Sequence, residues 1–148
     1  MVLLRTDASH PDFVHLVKEL DAELTIRDED EHDFYHQFNG IDNIHHVILA
    51  YIDNAPVACG AIKHYDDQRI EVKRMFVLPT FRGHGYALQV LSALENWAKT
   101  LGYTHCILET GMKQPEAIRL YTKSHYEKVD NYGQYADIEN SLCFQKSL

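Results

Sequence analysis

The sequence predicts one domain over residues 1–148, with a three-layer α/β/α architecture around a mixed β-sheet. The chain has 148 residues, of which 45% are hydrophobic and 24% charged, values typical of a folded globular domain. Its predicted elements follow in the order strand, two helices, three strands, helix, strand, helix, two strands. Successive strands are joined by hairpins and separated strands by helical crossovers, so both strand directions are expected in the sheet.

The N-terminal third begins with a short strand at residues 2–4 and continues with two helices. Pro11 lies in the first turn of a helix whose apolar side chains recur at helical spacing. These side chains are Phe13, Leu16, Val17, Leu20 and Leu24. A second short helix is predicted over residues 34–38, ending near Asn39-Gly40.

Three strands in succession are predicted at residues 47–52, 57–65 and 70–77, with turns at Asp53-Asn54 and Asp66-Asp67-Gln68. Because side chains alternate between the faces of a strand, the third strand is predicted to present two sets of side chains. One face carries Glu71, Lys73, Met75 and Val77, and the other carries Ile70, Val72 and Phe76.

The C-terminal part combines two helices with three short strands. The first helix spans residues 86–101 and stops at Gly102, with apolar positions at Leu88, Leu91, Leu94, Ala98 and Leu101. A strand at 105–108 follows, and residues 109–111 lead out of it. The second helix opens at Gln114-Pro115, and strands near 126–129 and 141–144 flank a loop.

Composition excludes several classes of protein. The formal net charge of −8 argues against nucleic acid as a partner and is compatible with a cationic small molecule. No apolar run is long enough to cross a membrane, and the N-terminus does not resemble a secretion signal, so a cytoplasmic location is expected. Cys59, Cys106 and Cys143 lie in apolar runs without paired spacing and are interpreted as reduced core residues.

The helix after the third central strand begins without a capping side chain. Ser, Thr, Asp or Asn normally accepts a hydrogen bond from the first free N–H groups of a helix. Here the positions are Gly83, His84, Gly85 and Tyr86, and the first turn has no carboxylate. The glycines and Ala87 allow close approach, and Arg82 adds positive charge, so this end is predicted to bind an anion. The structural alternative is a tight turn that uses glycine for positive φ.

Two other phosphate-binding motifs fit poorly. A Walker loop requires Lys followed by Ser or Thr after its second glycine, and the chain has no such run. A dinucleotide fingerprint requires a small residue where Leu88 stands, although Glu109 at the end of the next strand would suit it. A dinucleotide-binding protein therefore remains a remote alternative.

The pattern Arg82-x-x-Gly85-x-Ala87, between a strand ending in Val-x-Pro and a long helix, resembles the acyl-CoA motif of the GNAT superfamily of N-acetyltransferases. Ala117-Ile118-x-Leu120-Tyr121, followed by Tyr126, resembles the second signature of the same family. The order of elements matches as well. The chain departs from the family at Gln114, where Asn is usual, and at His125, where Gly is usual.

The resemblance implies a GNAT-like fold with a splayed sheet and acetyl-CoA as co-substrate. The pantetheine arm would pair with residues 75–77, the pyrophosphate would rest on the amides of 83–87, and the Gln114 amide would bind the cofactor chain. The implied cofactor-binding residues are Met75, Phe76, Val77, Arg82, Gly83, His84, Gly85, Tyr86, Ala87, Gln114, Ala117 and Tyr121. The motif does not require the side chain of His84.

Two residues are predicted to be catalytic. Transfer to an amine requires its neutral form, and Glu71 stands where family members often carry a base, on the predicted side of Met75. Its structural alternative is a surface carboxylate paired with Lys73 or Arg69. Tyr121 matches the family tyrosine that can protonate the departing thiolate, and otherwise would be a core tyrosine of an amphipathic helix.

Other clusters are given structural interpretations. His32, His36 and the pair His45-His46 are read as solvated or packed side chains, and no metal is expected. The acidic run 28–31 is read as a solvated helix start, with a role at the acceptor entrance as the alternative. Tyr132 and Tyr135 either line the acceptor cleft or pack in their loop.

The predicted function is acetyl transfer from acetyl-CoA to a primary amine, cationic in its free form, by direct attack in a ternary complex. A catalytically silent acyl-CoA-binding sensor is the non-enzyme alternative. The sequence leaves a homodimer open.

Overall fold

The computed structural model describes residues 1–28 and 43–148. Within them, seven strands form one sheet that three helices cover. The strands are β1 (Val2–Thr6), β2 (His46–Ile52), β3 (Ala55–His64), β4 (Arg69–Val77), β5 (His105–Gly111), β6 (Glu127–Val129) and β7 (Ser141–Ser147). The helices are α1 (Pro11–Asp28), α2 (Tyr86–Thr100) and α3 (Pro115–Lys123). Short 3₁₀ turns lie at Pro79–Phe81 and Gly133–Tyr135.

The strands lie in the order β1-β2-β3-β4-β5-β7-β6. Only β4 and β5 pair in parallel among them, and the other neighbours are antiparallel. This arrangement follows from the connections, since β1 to β4 include two hairpins whereas α2 carries the chain across from β4 to β5. The predicted mixed α/β/α fold is confirmed.

Two apolar clusters fix the layers. On one face, Phe13, Leu16 and Leu20 of α1 pack with residues of β2, β3 and β4. On the other face, α2 buries Leu91 and Leu94 in the main cluster, and α3 packs beside it. The helices therefore hold the sheet from both sides, with α2 and α3 flanking the ends of β4 and β5.

A β-bulge in β4 overturns the predicted alternation of its side chains. The pairing steps from Cys59↔Phe76 to Ala61↔Lys73, so two residues of β4 oppose Gly60 alone. The prediction that Glu71, Lys73, Met75 and Val77 share one face is therefore wrong. Counting by twos assumes regular pairing, and the extra residue reverses the faces beyond it.

After the bulge, the side chains of β4 point to new neighbours. Met75 and Val77 pack with the α2 cluster together with Val72, whereas Phe76 packs with the α1 cluster. Glu71 and Met75 therefore project toward opposite faces of the sheet. Gly60 makes room for this, because a Cβ there would lie 2.5 Å from the Met75 sulfur.

Two further predictions, the end of β5 and the buried face of α2, are also corrected. Residues 109–111 continue β5, since they pair with β7 through Gly111↔Ser141, whereas the sequence suggested that they leave the strand. The predicted apolar face of α2 is partly wrong, because Leu88 and Leu101 are exposed and Val90, which was not included, is buried. Leu88 instead lines a cavity between β4, α2 and α3.

The short helix predicted at 34–38, the run 28–31, and His32 and His36 lie outside the residues whose side chains are described. Within the described part of the chain, no helix is both long and apolar enough to cross a membrane.

Candidate active site

The sheet opens between β4 and β5. The two strands pair only at Arg69↔His105, Ile70↔Cys106 and Glu71↔Ile107, although both continue further. Beyond Glu71 the strands diverge, and their carboxyl-terminal halves leave a wedge beneath α3. The splay implied by the family resemblance is confirmed.

The larger cavity at this wedge has a volume of about 410 Å³ and is called the cofactor cavity after the residues predicted to bind the cofactor. It is bounded by β4, the loop before α2, the first turn of α2, and α3. Eleven of the twelve predicted cofactor residues line it: Met75, Phe76, Val77, Arg82, Gly83, Gly85, Tyr86, Ala87, Gln114, Ala117 and Tyr121. His84 does not, because its ring packs beside that of Tyr86 on the exposed side of the loop, with 5.8 Å between the ring centroids.

The uncapped helix end that the sequence predicts is present at α2. Gly85 is the N-cap residue with φ of 82°, no side chain caps the helix, and its first turn carries no acidic residue. Gly83 has φ of 84°, and a Cβ at either glycine would meet no atom within 4 Å. The glycines therefore serve the left-handed backbone rather than tight packing, and the free N–H groups of α2 face the cavity.

Arg82 ties the glycine loop to α1. Its Nε donates to the Val77 carbonyl oxygen at 2.9 Å, and its terminal nitrogens lie 3.0 Å from the two Glu23 carboxylate oxygens. The guanidinium also lies over the Phe76 ring, 5.6 Å from its centroid. Arg82 thus orients the loop, and its charge is shared with Glu23 at the rim of the cofactor cavity.

A smaller cavity of about 140 Å³ adjoins the cofactor cavity on the α1 side and is called the acceptor cavity after the role predicted for Glu71. Its lining includes Glu71, Lys73, Arg74, Glu109 and Tyr135. Five residues line both cavities: Leu20, Met75, Gln114, Ala117 and Tyr121. A group held in one cavity can therefore meet a group held in the other at this shared boundary.

Tyr121 lies at the junction of the two cavities and is 6% exposed. Its ring packs edge-on against Tyr126, whose hydroxyl donates to Glu95 at 2.8 Å, and lies beside Phe144. Burial, and then the negative charge of Glu109, raise the pKa of Tyr121. The phenol is therefore protonated at neutral pH and can act as a proton donor.

Glu71 is buried in the acceptor cavity, so the surface position in its structural alternative is wrong, although the predicted pairing with Lys73 is present. Its Oε2 accepts a 2.6 Å hydrogen bond from the Tyr132 hydroxyl, and its Oε1 lies 3.6 Å from Lys73 Nζ. Burial, and then the charge of Glu71, raise the pKa of Tyr132. Tyr132 therefore fixes the carboxylate, and Tyr135 from the same loop lines the cavity.

Sequence reasoning did not assign Lys73, Arg74, Glu109 and Thr110 to the acceptor side. Glu109 was weighed only as support for a dinucleotide site, because residues 109–111 were taken to leave the strand. Their inclusion depends on the length of β5 and on the bulge in β4. The available signal was the charged residues Glu71, Lys73, Arg74 and Glu109 in the interior of two strands that are rich in apolar residues.

The three cysteines are free and buried, as predicted. Burial raises the pKa of the Cys59 and Cys106 thiols to about 12 and that of Cys143 to about 11. None of these thiols is ionised at neutral pH. The described part of the chain therefore offers no cysteine nucleophile to the site. No cluster of three or more His, Cys, Asp or Glu suited to a metal ion is found there either.

Comparisons with known proteins show the family to which the chain belongs. Residues 13–126 match the acetyltransferase (GNAT) family. A curated relative, the IAA acetyltransferase of Azospirillum brasilense, is 35% identical over 102 residues, which cover 68% of this chain and 67% of that protein. The chain therefore belongs to the acetyltransferase (GNAT) family and is an acyltransferase.

Solved structures share the fold. A structure from Klebsiella pneumoniae subsp. pneumoniae MGH 78578, assigned to the acyl-CoA N-acyltransferases, superposes with a TM-score of 0.84 and 25% identity, covering 99% of this chain and 97% of that chain. A GNAT acetyltransferase from Elizabethkingia anophelis with acetyl-CoA bound superposes with a TM-score of 0.70, covering 99% and 97%. At 19% identity the second likeness shows the fold alone.

Proposed function

We propose that the protein transfers the acetyl group of acetyl-CoA to a primary amine of a small molecule or peptide, by direct attack in a ternary complex. The observation that carries this proposal is the contact of the cofactor and acceptor cavities at Met75 and Tyr121. A thioester reaching the boundary from one side and an amine from the other would meet there without a covalent enzyme intermediate.

The cofactor cavity fits the chemistry of coenzyme A. The uncapped N-terminus of α2 offers backbone donors and a positive dipole end to a pyrophosphate, and Gly83 and Gly85 leave space above the backbone. Met75, Phe76 and Val77 line the route from this end to the boundary. Acetyl-CoA supplies an activated thioester, and the Elizabethkingia neighbour has acetyl-CoA bound.

Glu71 is the proposed base. An alkylamine with a pKa of about 10.4 is neutral in less than about 0.1% of molecules at pH 7, so its proton must be removed before attack. Glu71 lines the acceptor cavity, and the Tyr132 hydrogen bond holds it in one orientation. It would accept the proton directly or through one water molecule.

Tyr121 is the proposed acid. When the acetyl group leaves, the sulfur gains negative charge in a partly apolar cavity, where an unprotonated thiolate is costly. Tyr121 borders both cavities and holds its proton at neutral pH, because its pKa is raised by burial and by Glu109. It would donate that proton to the sulfur.

The alternatives are weaker. In a dinucleotide-binding fold the glycine loop follows the first strand, whereas here it follows β4, and Leu88 occupies the third small position. An acyl-CoA sensor needs only the cofactor cavity, and it gives no reason for a second cavity lined with a fixed carboxylate.

The test combines binding with turnover. A thermal-shift panel of acetyl-CoA, CoA, NAD and ATP should show stabilisation by the two coenzyme A forms alone. Release of free thiol is then measured with polyamines, amino acids, aminoglycosides and peptide N-termini. Stabilisation by NAD but not by CoA would overturn the proposal, and CoA binding without thiol release from any amine would favour the sensor.

A further inference from the structure

The acceptor cavity contains two buried cations that proton removal and thiol release do not use. Lys73 and Arg74 line it with 7% and 4% of their side chains exposed. A buried cation is costly unless it is paired or serves a ligand. The groups around Lys73 and Arg74 therefore indicate which charges a ligand of this cavity would carry.

Arg74 is held at the bulge in an unfavourable backbone conformation. Its φ is 60°, a left-handed value that a non-glycine residue adopts at a cost and that is often found at functional sites. One terminal nitrogen donates to Asp21 Oδ1 of α1 at 2.8 Å. Its Nε is buried and has no hydrogen-bond partner among the described residues. The guanidinium is thus anchored at one end and keeps a donor for another oxygen.

The remaining charges around the cavity have both signs. Glu71 and Glu109 supply carboxylates, and Lys73 Nζ forms an ion pair with Glu71 Oε1 at 3.6 Å. Asp21 reaches Arg74 from α1. A positive group of a ligand can therefore lie beside Glu71 and Glu109, and a negative group can lie beside Arg74. A ligand with one group of each charge matches the lining.

The volume limits the ligand further. At about 140 Å³ the cavity is close in size to an engineered cavity that binds benzene, so it admits a group of about six to eight non-hydrogen atoms. An amine and a carboxylate a few bonds apart fit within that space. A guanidinium is well suited to a carboxylate because its donors match the two oxygens.

We propose that Lys73 and Arg74 form a carboxylate-binding subsite in the acceptor cavity, so that the acetyl acceptor is a small amino carboxylate. This inference rests on the proposed function and narrows its acceptor from a cationic to a zwitterionic amine. The acceptor carboxylate binds Lys73 and the free Arg74 Nε–H, and its amine lies toward Glu71 and the boundary with the cofactor cavity.

The test uses pairs of acceptors that differ only by the carboxylate and fit the cavity, such as alanine with ethylamine and valine with isobutylamine. Thiol release from acetyl-CoA gives kcat/KM for each, compared per concentration of neutral amine. The wild-type protein should prefer the carboxylate-bearing member by at least tenfold. Turnover that is equal or faster with the decarboxylated members would overturn the subsite and leave the proposed function intact.

Variants of the two cations test whether they cause the preference for the carboxylate-bearing acceptor. Lys73→Met and Arg74→Lys should each reduce it at least threefold without changing the KM for acetyl-CoA. Lys18→Met, which removes the same charge from an exposed position of α1, should keep the wild-type preference. A preference unchanged in both cavity variants would overturn the assignment. The wild-type ratio stands even if a variant fails to fold.

Binding separates failure of the subsite from failure of catalysis. Calorimetry with N-acetylalanine and N-ethylacetamide, each added to the protein saturated with CoA, needs no turnover. Tighter binding of the carboxylate, lost in Lys73→Met, supports the subsite even if no amine is acetylated. Equal binding of the two ligands overturns it.

Discussion

The Tyr132 hydroxyl donates a 2.6 Å hydrogen bond to Glu71 Oε2, which joins a late loop to the central strand β4 across 61 residues of sequence. The same loop is packed by aromatic contacts of Tyr132 with Tyr65 and Tyr135. The proposed base is therefore oriented by a segment far from it in sequence. Removing the Glu71 carboxylate should therefore affect catalysis more than removing the Tyr132 hydroxyl that orients it.

Glu71→Gln should lower kcat at neutral pH by about 10²-fold or more, with the KM for acetyl-CoA changed less than twofold, because the amide cannot accept a proton. Tyr132→Phe keeps the carboxylate and loses one buried hydrogen bond, so a smaller loss of kcat and about 1–2 kcal/mol less stability are expected. The pH profile of kcat/KM decides the assignment. If Glu71→Gln keeps the acidic limb of the wild-type profile, another group is the base.

Tyr121→Phe should lower turnover at least tenfold with little change in acetyl-CoA affinity, because the ring still packs against Tyr126 while the proton donor is lost. Steady-state kinetics and calorimetry measure the two quantities. Tyr103→Phe is the matched control, since its hydroxyl lies 2.7 Å from His64 Nδ1 and borders neither cavity. Unchanged turnover in Tyr121→Phe would remove this residue from the mechanism.

Gly60→Ala should destabilise the fold by about 1–3 kcal/mol, because the new Cβ would lie within 2.9 Å of Met75, Leu94 and Val90 side-chain atoms. Since Met75 and α2 border the cofactor cavity, acetyl-CoA affinity should fall too. Urea unfolding and calorimetry give both values.

Gly102→Ala provides the comparison, because its φ of 96° makes a side chain strained while no atom lies within 4 Å of the added Cβ. It should cost about 1–2 kcal/mol and leave acetyl-CoA binding unchanged. Normal binding by Gly60→Ala would show that the bulge does not shape the cofactor cavity.

Stability should fall as the pH drops through about 6.5, partly because of His46. Burial, and then the charge of His45, lower the pKa of His46, whose ring packs edge-on against Trp97 at 4.8 Å between centroids. With the folded pKa below the unfolded value of about 6.5, the unfolded chain binds more protons in that interval, so acid favours unfolding.

His46→Gln should reduce this loss of stability between about pH 7.5 and pH 5.5, as measured by urea unfolding at each pH. His15→Gln, at an exposed position of α1, should keep the wild-type dependence. The same slope in His46→Gln as in the wild type would exclude His46 as its source.

Much of the cofactor side was predictable, because its features are local in the chain. The uncapped start of α2 and the glycines with positive φ each depend on a few adjacent residues. His125 also adopts a φ of 72°, which explains why glycine is usual at this place in the resembling family. The turn after α3 thus keeps a left-handed residue although His125 replaces glycine, a conformation that the sequence alone did not predict.

The acceptor side was predicted less well, because it depends on pairing between strands. One extra residue in β4 reverses the faces of Met75 and Phe76, and nothing adjacent in the sequence marks it. The true length of β5 is set by β7, more than 30 residues later, so Glu109 and Thr110 were left out of the site.

The sequence by itself determined the class of fold, the uncapped start of α2 and the family membership suggested by its two motifs, since periodicity, capping and glycine placement act within a few residues. The tertiary structure decided which side chains share the acceptor cavity. It brings Lys73, Arg74 and Glu109 together with a carboxylate fixed by Tyr132. The physical reason is that bulges, strand register and the splay of β4 from β5 arise from long-range pairing, which no local pattern encodes.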